Sequence, residues 1–293
     1  MSYFIHLATL FSIYAILGVS LNLVVGFTGL VSVMHAAFFG IGAYAAAILM
    51  TKLGMGFFLA ALSGILIAAV IGACAGWVFS RLGGDYYVFG SIAFNYLVVS
   101  VFVNWESLTN GPLGIPGIGR PFSLPVTFLG IRIGTPILFL FLTVILLGMV
   151  YWFARRVVSS SFGRVLKAIR EDEEAARVFG YHTLAYKVAV SGIAAACAGL
   201  AGALFASYLA FIDPSTFDVM TSVLVLAVVV VGGFANIRGS LVGALILILL
   251  PEALRFAGFP ASIAANMQQA VYGLALILFM LYRPQGIMGE YKF

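Results

Sequence analysis

Apolar runs of about 20 residues recur along nearly the whole chain, and in helical form each is long enough to cross about 30 Å of hydrocarbon. Inside a bilayer the backbone must satisfy its own hydrogen bonds, which leaves helices and closed barrels as the spanning structures. Nine such runs can be drawn, near residues 3–25, 28–50, 57–79, 86–104, 134–154, 186–211, 217–235, 240–257 and 262–282. The expectation is an all-α polytopic membrane protein, residues 1–293 forming one transmembrane domain of about nine helices. Charged residues are 9% of the chain, against roughly 25% in soluble domains, so a single large soluble core is excluded. The first run has no basic n-region and no small-residue cleavage site, and reads as a first span rather than a removed signal peptide.

Alternating these runs across a membrane places eleven of the fifteen Lys and Arg residues on one side. They are Arg81, Arg155, Arg156, Arg164, Lys167, Arg170, Arg177, Lys187, Arg238, Arg283 and Lys292. Lys52, Arg120, Arg132 and Arg255 fall on the other side. The richer side is expected to be cytoplasmic, which puts the N-terminus outside and the C-terminal tail inside. The net charge of +5 belongs to loops on one membrane face, and no basic stripe interleaved with aromatics suggests nucleic acid. Residues 105–133, rich in Gly and Pro, read as an external lid folded against the outer surface.

Charge concentrates in one stretch, "SFGRVLKAIREDEEAARVFGYHT", within a cytoplasmic loop of about residues 155–186. It reads as two short helices. Ser161 can cap the first, whose last turn carries Lys167 and Arg170 where cations suit the helix dipole. Asp172 can cap the second, with Glu173 and Glu174 in its first turn and Gly180 as a left-handed end. Phe162, Val165, Leu166, Ile169, Ala176 and Phe179 recur three and four apart, giving an apolar face that needs a cover. Either the protein's own helix ends and lipid headgroups supply it, or a partner protein does.

Polar side chains inside spans are costly and invite explanation. Asn22, Ser32, His35, Asn95 and Tyr96 stand out. His35 is either a pathway residue or a neutral imidazole bonded between helices, and Asn22 and Asn95 admit the same two readings. Glycines break one early segment at Gly26, Gly29, Gly40 and Gly42, and one late segment at Gly232, Gly233, Gly239 and Gly243. Such breaks fit a central pathway lined by freed backbone, or close helix packing. The translocation candidates are therefore Asn22, Gly29, Ser32, His35, Gly40, Asn95, Gly232 and Gly233. "SGIAAACAGLAGALFA" forms two rows of small residues suited to contact with neighbouring helices or a sister subunit. Cys74 and Cys197 sit in apolar runs and read as buried hydrophobes.

Glu174-Ala175-Ala176-x-x-x-Gly180 resembles the loop by which permeases of ATP-binding-cassette (ABC) importers dock onto their nucleotide-binding subunits, without the Ile-x-Leu-Pro extension many of them carry. Further segments occur in order: "LNLVVGFTGLVSVMHAAFFGIGAYAAAIL", "RLGGDYYVFGSIAF", "LTNGPLGIPGI", "GRVLKAIREDEEAARVFGY", "VGGFANIRGSLVGA" and "YRPQGIMG". Together they resemble the larger permease subunit of branched-chain amino acid ABC importers. Ala235 stands where the family usually has a second glycine, Ser240 where it has proline, and Gly83 where arginine is more common. The resemblance implies a bacterial inner-membrane permease paired with a second, similar one. It also implies two ATPases beneath, which hold the ATP and Mg, and a periplasmic or extracellular amino-acid-binding protein, with no cofactor in this chain. The coupling residues would be Arg164, Arg170, Glu171, Asp172, Glu174, Ala175, Ala176 and Gly180.

Two sequence features agree with that division of labour. There is no Gly-x-x-x-x-Gly-Lys-Ser/Thr phosphate loop, so ATP hydrolysis would fall to another chain. Asp85, Asp213, Asp218 and Glu252 lie near span ends, whereas a carrier driven by an ion gradient would want carboxylates deeper. No catalytic or metal-ligand cluster is apparent. A permease for urea or short amides, and a self-sufficient secondary transporter, stand as alternatives.

Overall fold

The computed structural model describes residues 2–122, 126–128, 131–256, 270, 273–274, 277–278, 281–282 and 286–289. The elements follow as α1 (Ser2–Thr28), α2 (His35–Lys52), α3 (Phe57–Phe79), α4 (Asp85–Asn104), the one-turn α5 (Glu106–Thr109), α6 (Thr135–Ser159), α7 (Ser161–Glu171), α8 (Glu173–Val178), α9 (Thr183–Leu209), α10 (Val219–Gly232) and α11 (Ile237–Phe256). Of these, α1, α3, α4, α6 and α9 are long and apolar enough to cross a membrane, and α10 with α11 makes a sixth if the bent pair counts as one span.

Nine spans are not shown among the described residues, and two of the expected runs differ from single straight helices. The run at 28–50 is broken at residues 29–34, and the 18-residue α2 that follows is buried along most of its length. At 1.5 Å per residue it extends about 27 Å, slightly short of a full crossing. The runs at 217–235 and 240–257 are the two arms of a pair bent by 120°. The 14 residues of α10 cover only about 21 Å. Most of the ninth run, 262–282, and the cations Arg283 and Lys292 lie outside the described residues.

Side-chain size explains which helices sit at the centre. The apolar window of α1 is 83% buried and that of α9 67%, against 28% for α4 and α6. Both small-residue rows of α9 are buried, and they bring its backbone against α2 and α3. A Cβ added to Gly42 would come within 2.2 Å of the Gly199 carbonyl oxygen, and one added to Gly202 within 2.0 Å of that of Phe39. These rows therefore serve contact inside the chain rather than with a sister subunit. The outer helices α3, α4 and α6 present Leu62, Val70, Phe89, Phe141 and Met149 on their exposed faces. Apolar exposure on this scale is expected of surface facing lipid tails. Cys197 is buried, whereas Cys74 faces outward on α3, and both thiols are free.

The Gly/Pro-rich loop is folded, with α5, a 3₁₀ turn (Gly111–Leu113) and short strands. β1 (Ile115–Pro116) pairs antiparallel with β4 (Phe211–Ile212), in the α9–α10 connection, and β2 (Val126–Phe128) pairs with β3 (Ile131–Ile133).

Candidate functional site: the charged loop and the hinge beneath it

The charged loop folds as the two helices expected. Its first cap is Ser160, one residue before the expected Ser161, its hydroxyl accepting from the Gly163 amide at 3.4 Å. Asp172 caps α8, its Oδ1 accepting from the Ala175 amide at 2.9 Å, and Gly180 ends the turn at φ +88°. The apolar face is covered by the protein itself. Val165, Leu166, Ile169 and Ala176 are buried and Phe162 stacks on Tyr186 of α9. Phe179 departs from the expectation: it is 81% exposed and stands with Val178, 86% exposed, at the tip. Arg164, Glu171, Asp172, Glu174 and Gly180 are also on the outer surface, while Ala175 is half-buried.

An ion pair fastens this unit to α9. Lys187, almost fully buried, bonds Glu173, whose other oxygen accepts from Arg177 at 2.6 Å and from the Thr183 hydroxyl at 3.0 Å. Burial by itself would raise the Glu173 pKa. Its hydrogen bond to Lys187 and that residue's charge, with Thr183 and Arg177, hold it below the ordinary carboxylate range.

α7 lies across the C-terminal end of α1. That helix has no basic residue in its own last turn, and the loop supplies two from elsewhere in the chain. Arg170 donates to the Gly26 carbonyl, and the Lys167 ammonium sits 5.7 Å over the Phe27 ring. Cations there complement the negative end of the helix dipole and meet carbonyls with no intrahelical donor. Gly29 follows at φ +73°, closing α1 with an amide bond to the Val25 carbonyl at 3.2 Å.

One turn before Gly26, Asn22 reaches the break between α10 and α11. Its Nδ2 donates to the Ser240 hydroxyl at 2.7 Å and the Asn236 carbonyl at 3.0 Å, and its Oδ1 accepts from the Ala235 amide at 3.1 Å. Gly233 ends α10 at φ +115°. The Ile287 and Met288 amides donate to the Val231 and Gly232 carbonyls at 2.9 and 3.1 Å, and Asn236 Nδ2 donates to the Met288 carbonyl at 2.7 Å. Backbone groups freed by the break are thus met by one buried side chain and a C-terminal turn. Four sequence segments far apart in the chain meet here: the early glycine-broken run, the charged stretch, "VGGFANIRGS" and "GIMG".

The remaining candidates hold the start of α2. The first amides of a helix lack intrahelical partners. Here the Val33 amide donates to the Ser91 hydroxyl of α4, and the Ala36 amide to the Ser222 hydroxyl of α10, each at 2.9 Å. Asn95 accepts from Ser222 at 3.4 Å and donates to the Phe217 carbonyl at 3.3 Å. His35 Nε2 lies 2.7 Å from the Ser20 hydroxyl, and Ser32 is buried in the break. Gly40 packs against the Phe102 and Phe217 rings, and Gly232 against the Gly239 backbone. These residues thus bond or pack between helices. Tyr96, by contrast, is 59% exposed and lines a cavity of about 500 Å³ with Asp213 and Asp218.

Ser20, Ser91 and Ser222 were missed by sequence reasoning, and Ser240 stood out only as a departure from the family's proline. For the first three the only signal was a hydroxyl within an apolar run, which serines that bond their own helix also give.

Residues 3–280 match the protein family described as "Branched-chain amino acid transport system / permease component". The chain is 33% identical over 302 residues to the "High-affinity branched-chain amino acid transport system permease protein LivM" of Escherichia coli (strain K12), covering 97% of this chain and 69% of that protein. The protein of the same description from Salmonella typhimurium is 32% identical with the same coverage. A "Probable branched-chain amino acid transport permease protein LivM" of Methanocaldococcus jannaschii is 26% identical over 150 residues, 48% of this chain and 44% of its own. No solved structure gives a significant match. With the family match reaching from the first helix past the hinge, the chain belongs to the permease components of branched-chain amino acid transport systems.

Proposed function

We propose that this chain carries branched-chain or similar hydrophobic amino acids across a bacterial inner membrane, as one of two permeases above a pair of ABC ATPases. A periplasmic or extracellular binding protein delivers the solute. The observation that carries the reading is the exposed tip of the charged loop. Val178 and Phe179 stand in solvent beside Glu171, Asp172 and Glu174, on helices anchored through Arg170 to α1 and through Lys187 to α9. An apolar pair ringed by charge on a braced helix is suited to a groove in a partner. The loop and the C-terminal turn face the cytoplasm; the strand pair β1–β4 faces outward.

In this reading, a displacement of the loop by the ATPases passes through Arg170 to the end of α1, and through Asn22 to the α10–α11 hinge. The test is uptake and ATPase activity of the assembled transporter in proteoliposomes. Glu174→Lys and Phe179→Asp are expected to abolish leucine-driven ATP hydrolysis while the subunit still inserts. Normal uptake with both variants would remove the loop from the coupling. Ion-driven uptake by this chain alone, indifferent to ATP, would replace the reading by that of a secondary transporter.

A further inference from the structure

A cavity of about 330 Å³ opens where α6, α7 and the hinge approach one another, and cations from three elements line it: Arg155, Lys167 and Arg238. All three are exposed, and none forms an ion pair with a described acid. Asn236 and Tyr151 share the lining, with Phe27 and Ile237 as apolar wall. Like charges gathered without a counter-ion among the described residues repel, so the arrangement is more stable with an anion among them.

The surroundings indicate what kind of anion. α6 and α11 both reach this cavity, and each exposes large apolar side chains along its length, Met149 and Phe153 on one and Leu245 and Leu249 on the other. Next in sequence to the cavity-lining Tyr151, near the C-terminal end of α6, the Trp152 ring carries the Arg156 guanidinium at 5.1 Å. An aromatic paired with a cation at the end of an apolar helix marks headgroup depth. A molecule with a negative head and a hydrocarbon tail could fill the cavity while its tail lies along these apolar side chains.

We propose that this cavity binds the phosphate of an anionic phospholipid. A lipid held there would join α6, α7 and the hinge by one charged group, at the point where the loop's motion is argued to reach α10 and α11. Free phosphate shares the head chemistry but lacks the tail.

Retention of phosphatidylglycerol and of zwitterionic phosphatidylethanolamine by the purified transporter, read by native mass spectrometry, tests the proposal without recourse to transport. The wild type is expected to keep phosphatidylglycerol preferentially and to lose it as salt is raised. Arg238→Gln should weaken retention about fivefold, and Arg155→Gln with Lys167→Gln and Arg238→Gln about a hundredfold, at about a factor of five per surface cation. Arg238→Lys should retain most of the binding. Melting in phosphatidylethanolamine nanodiscs checks that the variants are folded. Equal retention of the two lipids by the wild type, or unchanged retention by the folded triple variant, overturns the proposal. So does inorganic phosphate that binds the cavity and is not displaced by phosphatidylglycerol.

Discussion

Asn22 makes four hydrogen bonds from one amide, all to residues more than two hundred positions away. Asn22→Ala would leave the Ala235 amide and the Ser240 hydroxyl without that partner in a buried site, at about 1–3 kcal/mol. The expected result is a lower melting temperature and uptake that falls further than ATPase activity. Gly26 makes the same point by size: an added Cβ would lie 1.7 Å from Asn22 Oδ1 and 2.7 Å from the Ala235 amide. Gly26→Ala is therefore expected to disrupt the clasp at least as severely, measured by the same pair of assays. That Asn22 had an interhelical partner was readable, because a lone amide in an apolar run must bond something. Which partner was not, since nothing local relates position 22 to position 240.

α8 is a helix of six residues and cannot hold itself together in isolation. It depends on its Asp172 cap and on the Glu173–Lys187 pair. Asp172→Ala should cost about 1 kcal/mol and loosen the tip, seen as faster hydrogen exchange confined to residues 173–180. The Glu173 pKa is lowered by folding, so its contribution is complete above the ordinary carboxylate range and is lost as pH falls through the lowered value. Exchange protection of α8 should therefore persist to mild acid and then collapse. Glu173→Gln should lack that transition and be less protected at neutral pH, its neutral amide facing a buried ammonium. These elements were legible because caps, charge order and apolar spacing are local signals. The covered face was not: Phe162 and Phe179 look equivalent by spacing, yet one stacks on Tyr186 and the other stands free of the core.

Across the whole molecule, hydropathy located the apolar segments but not where they bend or break. A run of apolar residues looks the same whether the helix continues through it or turns by 120°. The proposed orientation can be measured directly. In a background with Cys74 and Cys197 replaced, Leu113→Cys and Val178→Cys, at sites 83% and 86% exposed, should label from opposite sides with an impermeant thiol reagent. Labelling of both from one side would require a different threading. The burial of α1 has a further result for synthesis. It leaves the ribosome before α6, α7, α9, α10 and α11, all of which pack on it. Asn22 consequently enters the bilayer long before Ser240 has been translated, and a chain halted before the hinge is expected to present an unmatched amide to the cell's quality-control proteases.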